Sequence, residues 1–185
     1  ALQMLRDGTL RHKTLVTTVM SNAGLDAAVQ AAGGKTLRTP VGDKHVIDEM
    51  LRGDFNFGGE QSGHLIFRDH SSTGDGLVAA LQILSTMKTT DKALSSLARC
   101  WKRYPQLTTN VRVREKRPFE ELDHVLDLVK KAESEVVPHG GRVLLRYSGT
   151  EPKVRLLIEG PDQHVMEKWS RTICDAISRQ IGTTA

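Results

Sequence analysis

The first half of the chain alternates short β-branched runs with helical runs, most of them bounded by glycine, proline or capping residues. That rhythm restricts it to an α/β layer. Leu15–Met20 is strand-like and stops at Ser21-Asn22, residue types that cap helices. Leu25–Ala32 has helical character and stops at Gly33-Gly34. Lys35–Arg38 reads as a second strand closed by Thr39-Pro40, and Gly42-Asp43 opens a helix carrying Val46, Ile47, Met50 and Leu51. Phe55 and Phe57 alternate into Gly58-Gly59, and Leu65–Phe67 is a further strand. Thr73-Gly74-Asp75-Gly76 leads into a helix whose apolar face carries Leu77, Val78, Leu81 and Leu84. The pattern predicts a mixed, mostly parallel sheet with helices on its faces. Asp91–Trp101 reads as one more helix, broken at Tyr104-Pro105.

From Leu107 the character changes. Val111 and Val113 alternate with Arg112 and Arg114 as a half-exposed strand. A helix follows, with Pro118 in its first turn and Phe119, Leu122, Val125, Leu126 and Val129 on one face. Arg142–Tyr147 and Val154–Ile158 are strands, and the last helix runs from Pro161 to Ile181 with Val165, Trp169, Ile173 and Ile177 inward. This predicts a larger α/β domain over residues 1–105 and a smaller α+β domain over 106–185.

Apolar residues make up 38% of the 185 residues and charged residues 26%, enough for two packed cores. No apolar run approaches the 18 or so residues of a membrane span. Ala1–Arg11 mixes leucine with arginine and aspartate, unlike a signal peptide, and Ala1-Leu2-Gln3-Met4 reads as the middle of a helix. Cys100 and Cys174 show no metal or redox spacing and read as two reduced thiols in an intracellular protein. The formal charge of +4 favours anionic ligands. Basic residues cluster between Arg99 and Arg117. With aromatic residues at only 4%, the cluster lacks the stacking platforms of a nucleic-acid surface and reads as solvated surface near an anion site.

Three loops carry chemistry. In Arg146-Tyr147-Ser148-Gly149-Thr150-Glu151-Pro152, Ser148 and Thr150 offer hydroxyl donors and Gly149 permits close approach to the backbone. If the flanking strands pair as a hairpin, Arg155 joins Arg146 at the loop mouth, and two planar guanidinium groups suit a phosphate dianion. A polar turn with surface salt bridges is the alternative. In Gly58-Gly59-Glu60-Gln61-Ser62-Gly63-His64, Glu60 can accept from neighbouring sugar hydroxyls and Ser62 can donate and accept. His64 is a candidate proton carrier or a structural hydrogen bond at a strand start. Thr39-Pro40-Val41-Gly42-Asp43-Lys44 joins a strand end to a helix, a ligand-contact position in open α/β sheets, with Asp43 and Lys44 as polar candidates. Asp43 equally suits a helix N-terminus. Asp75 offers a single carboxylate and reads as a helix cap, so no metal site is expected in this chain.

Taken together, Arg142–Pro152 continuing through Arg155 to Glu159-Gly160 resembles the phosphate-binding loop of the alpha-D-phosphohexomutases, and Gly59–His64 resembles their sugar-binding loop. The Ser-Gly-Thr-Glu-Pro form, Val41-Gly42-Asp43-Lys44 and Thr73-Gly74-Asp75-Gly76 resemble the branch acting on glucosamine phosphates. Phosphomannomutase and phosphoglucomutase relatives typically show Ser-Asn-Thr in the phosphate loop. The resemblance implies the third and fourth of four domains, the fourth a TATA-box-binding-protein-like fold. The implied reaction interconverts glucosamine 6-phosphate and glucosamine 1-phosphate through glucosamine 1,6-bisphosphate. A first-domain phosphoserine supplies the phosphoryl group, and three second-domain aspartates hold Mg2+. Neither the Ser-His-Asn nor the Asp-x-Asp-x-Asp loop of that machinery is present, so these residues alone are not expected to catalyse.

Carried over, Arg146, Ser148, Gly149, Thr150 and Arg155 grip the phosphate distant from the serine. Glu60 and Ser62 bind ring hydroxyls, His64 carries a proton, and Gly42-Asp43-Lys44 helps read which end of the sugar is presented. Lys44 stands where the family pattern has arginine. The implied partners are a phosphorylated hexosamine and the two preceding domains, in a cytoplasmic protein, with a homodimer left open and neither nucleic acid nor membrane expected. A phosphomannomutase or phosphoglucomutase, or a non-catalytic phosphosugar-binding module, are the alternatives.

Overall fold

A computed structural model describes residues 1–183 and divides the chain into two compact units, Ala1–Arg103 and the residues from Tyr104 onward. The first unit contains α1 (Leu2–Arg6), β1 (Thr14–Thr18), α2 (Ala23–Ala31), β2 (Lys35–Thr39), α3 (Asp43–Arg52), β3 (Phe57–Gly59), β4 (Leu65–Phe67), α4 (Gly76–Thr90) and α5 (Leu94–Leu97). Its four strands lie in the order β2-β1-β3-β4. β1 runs parallel to both neighbours, and β4 closes the sheet antiparallel to β3. Every residue of β1 is buried, which is why its sequence is a continuous β-branched run and not an alternation.

Successive residues of β1 face opposite sides and seed two apolar layers. Val16 packs with Val46, Met50, Phe55 and Ile66, so the face of α3 repeating at four residues is buried. Leu15 packs with Leu10, Val29 and Phe57, with α1 residues against them. Asn22 caps α2 by accepting from Gly24 N at 3.0 Å, and Asp75 caps α4 by accepting from Leu77 N and Val78 N at 2.8 and 3.0 Å.

Three expectations are corrected. Leu77, Leu81 and Leu84 of α4 are exposed, and so is Leu51 of α3. α4 touches the sheet beside the edge strand β4 and buries only Ala79. Asp91–Trp101 forms only the single turn α5; Asp91 takes a left-handed conformation that ends α4, and Leu94 stays exposed.

The second unit contains β5 (Gln106–Arg112), α6 (Asp123–Val136), β6 (Arg142–Tyr147), β7 (Lys153–Glu159) and α7 (Gln163–Ile181). The strands form an antiparallel sheet in the order β5-β7-β6. Val125, Ala132 and Val136 of α6 and Met166, Trp169, Ile173 and Ile177 of α7 bury against Val154, Leu156 and Ile158 of β7. α6 starts later than its periodicity suggests. Phe119 lies in a 3-10 turn, stacked on Tyr147 at 4.4 Å, and Leu122 leaves helical geometry at φ −111°, ψ 55° with its side chain fully buried. Tertiary packing of these two side chains overrides the local helix signal. No helix among the described residues is long and apolar enough to cross a membrane.

Candidate functional site

The hairpin of β6 and β7 carries the candidate phosphate loop at one end. Val143, Leu145 and Tyr147 pack toward the core, so Arg142, Leu144 and Arg146 share the other face. On that face Arg142 opposes Glu159, Leu144 opposes Leu157, and Arg146 opposes Arg155. The first pair is complementary: Arg142 Nε donates to Glu159 Oε2 at 2.6 Å, with the carboxylate fully buried. The last pair is two like charges directly opposite, an arrangement that destabilises a sheet. The Arg146 guanidinium makes no hydrogen bond or ion pair among the described residues. Partial burial, and then the charge of Arg155, lower its pKa from the usual arginine value. Arg155 reaches Ser148 Oγ and Glu151 Oε2 at 3.4 Å each, while its buried Nε has no partner.

The loop between them is held from beneath. Ser148 is buried, its N–H donating to the Lys153 carbonyl at 2.8 Å, while Gly149 and Thr150 are exposed. A Cβ on Gly149 would meet nothing within 4 Å, so internal packing does not require the glycine and the space above it is open. Lys116 Nζ donates to the Ser148 carbonyl at 2.6 Å, and Lys153 Nζ pairs with Glu151 at 2.7 Å. The hydrogen bond from Lys153 holds the Glu151 carboxyl below its ordinary range. Sequence reasoning placed Lys116 in a solvated basic cluster and assigned Lys153 no role. The folded chain brings both to the loop, and only the pairing of β5 with β7 reveals this for Lys116. A cluster of four cations against one carboxylate is a strongly electropositive loop.

In the first unit, Glu60–His64 is the tight connection between β3 and β4, closed by Glu60 N donating to the His64 carbonyl at 3.0 Å. Gly63 sits at φ +99° and Gly42, preceding α3, at φ +127°; both are conformations that a side chain would strain. Gly42 N donates to Glu60 Oε1 at 2.8 Å, and Asp43 lies 3.0 Å from His64 Nδ1. Ser62 Oγ reaches Glu60 Oε2 at 3.4 Å. The start of α3 and the β3–β4 turn are therefore latched together, with Gly42, Asp43, Glu60, Ser62 and His64 in one cluster. Lys44, exposed, has no polar partner among the described residues. Each Glu60 oxygen already accepts one protein donor and keeps one lone pair for a ligand.

Asp43, Glu60 and His64 also present ligand atoms within 4.8 Å of one another. Magnesium prefers an all-oxygen octahedron, and this mixed set, whose carboxylates already serve the latch, does not match it. Cys100 and Cys174 are free thiols in neither cluster, and burial pushes the Cys174 thiol up.

Comparison with known proteins bears on both units. Residues 1–104 match the family model described as phosphoglucomutase/phosphomannomutase, alpha/beta/alpha domain III, and residues 109–176 match that for the C-terminal domain. The phosphoglucosamine mutase of Geobacter metallireducens is 48% identical over 98% of this chain, which spans 40% of that relative. That of Anaeromyxobacter is 47% identical over 97% of the chain and 38% of the relative. Among solved structures, Aspergillus fumigatus N-acetylphosphoglucosamine mutase superposes with a TM-score of 0.76 at 16% identity, covering 96% of this chain and 40% of that one. A second structure of that enzyme, in complex with GlcNAc-6P and magnesium, gives 0.74 at 17% identity over 98% of this chain and 41% of that one. With both family models matched in order and the mixed and antiparallel sheets in place, the chain belongs to the phosphoglucomutase/phosphomannomutase family, of which it carries the third and C-terminal domains.

Proposed function

We propose that this chain is the substrate-recognition half of a cytoplasmic phosphoglucosamine mutase, with residues 1–105 its third domain and 106–185 its fourth. The proposed reaction interconverts glucosamine 6-phosphate and glucosamine 1-phosphate through glucosamine 1,6-bisphosphate. The observation that carries this reading is the Arg146–Arg155 pair, like charges placed opposite one another with Arg146 lacking a counter-ion among the described residues. A phosphate dianion supplies that counter-ion. It would accept from both guanidinium groups and from the Ser148, Gly149 and Thr150 region of the loop. This is the phosphate that stays on the sugar while the other end reacts.

Glu60 and Ser62 accept and donate toward ring hydroxyls, and Lys44 with Gly42 and Asp43 senses the end presented. His64 is the proton carrier at the reacting hydroxyl, with Asp43 as the group that fixes its orientation: an imidazole whose Nδ1 faces a carboxylate presents Nε2 outward. The phosphoryl donor and Mg2+ belong to residues outside this chain, where the ion would neutralise charge on the transferring phosphoryl group.

The test is turnover by the complete gene product on glucosamine, mannose and glucose 6-phosphates. Glucosamine 6-phosphate is expected to give the highest kcat/KM. Arg146→Ala is expected to lower it by about tenfold to a few hundredfold, from charge-assisted bonds of about 1.5–3 kcal/mol each. Unaltered kinetics in that variant rule the assignment out, and a preference for mannose or glucose phosphate moves the protein to a sister activity.

A further inference from the structure

We infer that the exposed leucine face of α4 is an intramolecular docking surface, covered in the complete polypeptide by the domain that precedes this chain. The inference rests on the reading above, that further domains of the same polypeptide come before Ala1. Leu77, Leu81 and Leu84 are 70%, 56% and 57% exposed and fall at i, i+4 and i+7, one stripe along the helix. Ile83 is 38% exposed, and it and the exposed Ala80 lie alongside the stripe on the helical wheel. Together they make an apolar arc of about half the circumference. The only charged residue in the 15 of α4 is Lys88, in its last turn.

The two long helices of the second unit do not behave this way. α6 and α7 turn their apolar residues into the core and spread Asp127, Lys130, Lys131, Glu133, Glu167, Lys168 and Arg171 over their outer faces. A solvated α4 would be expected to do the same. A contiguous leucine stripe whose one charge, Lys88, comes only at its C-terminal end marks an interaction surface.

The chain spans 40% of the relatives it matches, and its first unit matches the model of the family's third domain, so the rest of their length lies largely before it. Elements consecutive along a chain are usually neighbours in space. α4 belongs to the unit that directly follows that missing portion. A tethered domain is also present at an effective concentration in the millimolar range, which favours it over a second copy.

Leu81→Cys, labelled with maleimide and read by peptide mass spectrometry, tests the inference in the 185-residue chain and in the complete gene product. Exposed Cys100 gives an internal reference in the 185-residue chain. The expected result is labelling at least tenfold slower in the complete product. Equal rates in the two overturn the inference. So does protection in the 185-residue chain that rises with protein concentration to match the complete product, which assigns the face to a second copy. Leu81→Glu gives an independent reading: an unchanged melting temperature in the short chain and a lowered one in the complete product. Equal shifts in both count against it. Turnover of the complete product, measured in parallel, separates failure of this surface from failure of the functional reading.

Discussion

Arg142 and Arg146 lie four residues apart on the same face of β6, yet they stand opposite groups of opposite charge. Arg142 neutralises a fully buried carboxylate, so Arg142→Ala is expected to destabilise the second unit by about 3 kcal/mol, read by chemical denaturation. Arg146→Ala removes a repulsion instead. It is expected to leave the unfolding midpoint unchanged or raised while abolishing phosphate-dependent binding. A large loss of stability in Arg146→Ala would mean that the arginine is structural. At Asp43 the prediction concerns orientation. In the complete enzyme, Asp43→Asn is expected to lower kcat by more than it raises KM, because the carboxylate that orients the His64 imidazole is gone. An unchanged kcat would leave Asp43 no part in positioning His64.

At the scale of elements, what could be read from sequence was whatever a short window determines. The buried strand β1, the caps at Asn22 and Asp75 and the inward stripe of α7 all follow from local residue types. The site was partly legible for the same reason, since hydroxyls, a glycine and flanking arginines sit in one loop. Lys116 was not, because its approach to the Ser148 carbonyl depends on β5 pairing with β7 across more than thirty residues of sequence. The late start of α6 was missed because Phe119 stacks on a tyrosine in another element. The exposure of α4 was missed because leucines at helical spacing mark a buried face without saying what buries it. Two substitutions separate these contributions. Asp162 caps α7 by accepting from His164 N and Val165 N, so Asp162→Ala is expected to cost about 1 kcal/mol. Ile173→Ala in the core beneath it is expected to cost about 2–5 kcal/mol. Equal costs for the two would show that α7 does not pack as described.

For the molecule as a whole, the division of labour predicts binding without turnover in these 185 residues. The binding should also follow the charge of the ligand. Glu151 is held ionised below its ordinary range, chiefly by Lys153: what its ionised form contributes is present above the usual carboxylate pKa and lost only as pH falls through the lowered one. Near-neutral titration in the phosphate loop therefore belongs to the phosphomonoester, whose second ionisation lies near pH 6. Affinity for glucosamine 6-phosphate is expected to rise from pH 5 to pH 7.5, with free glucosamine showing no such rise. The most direct measurement is a titration of the 185-residue chain with glucosamine 6-phosphate, followed by 15N–1H NMR at pH 7.5. The account predicts that the backbone signals of Ser148, Gly149 and Thr150 and the Nε–H signals of Arg146 and Arg155 move together, and that Arg146→Ala abolishes the response. Shifts confined to the Arg99–Arg103 stretch, or an undiminished response in Arg146→Ala, would contradict it.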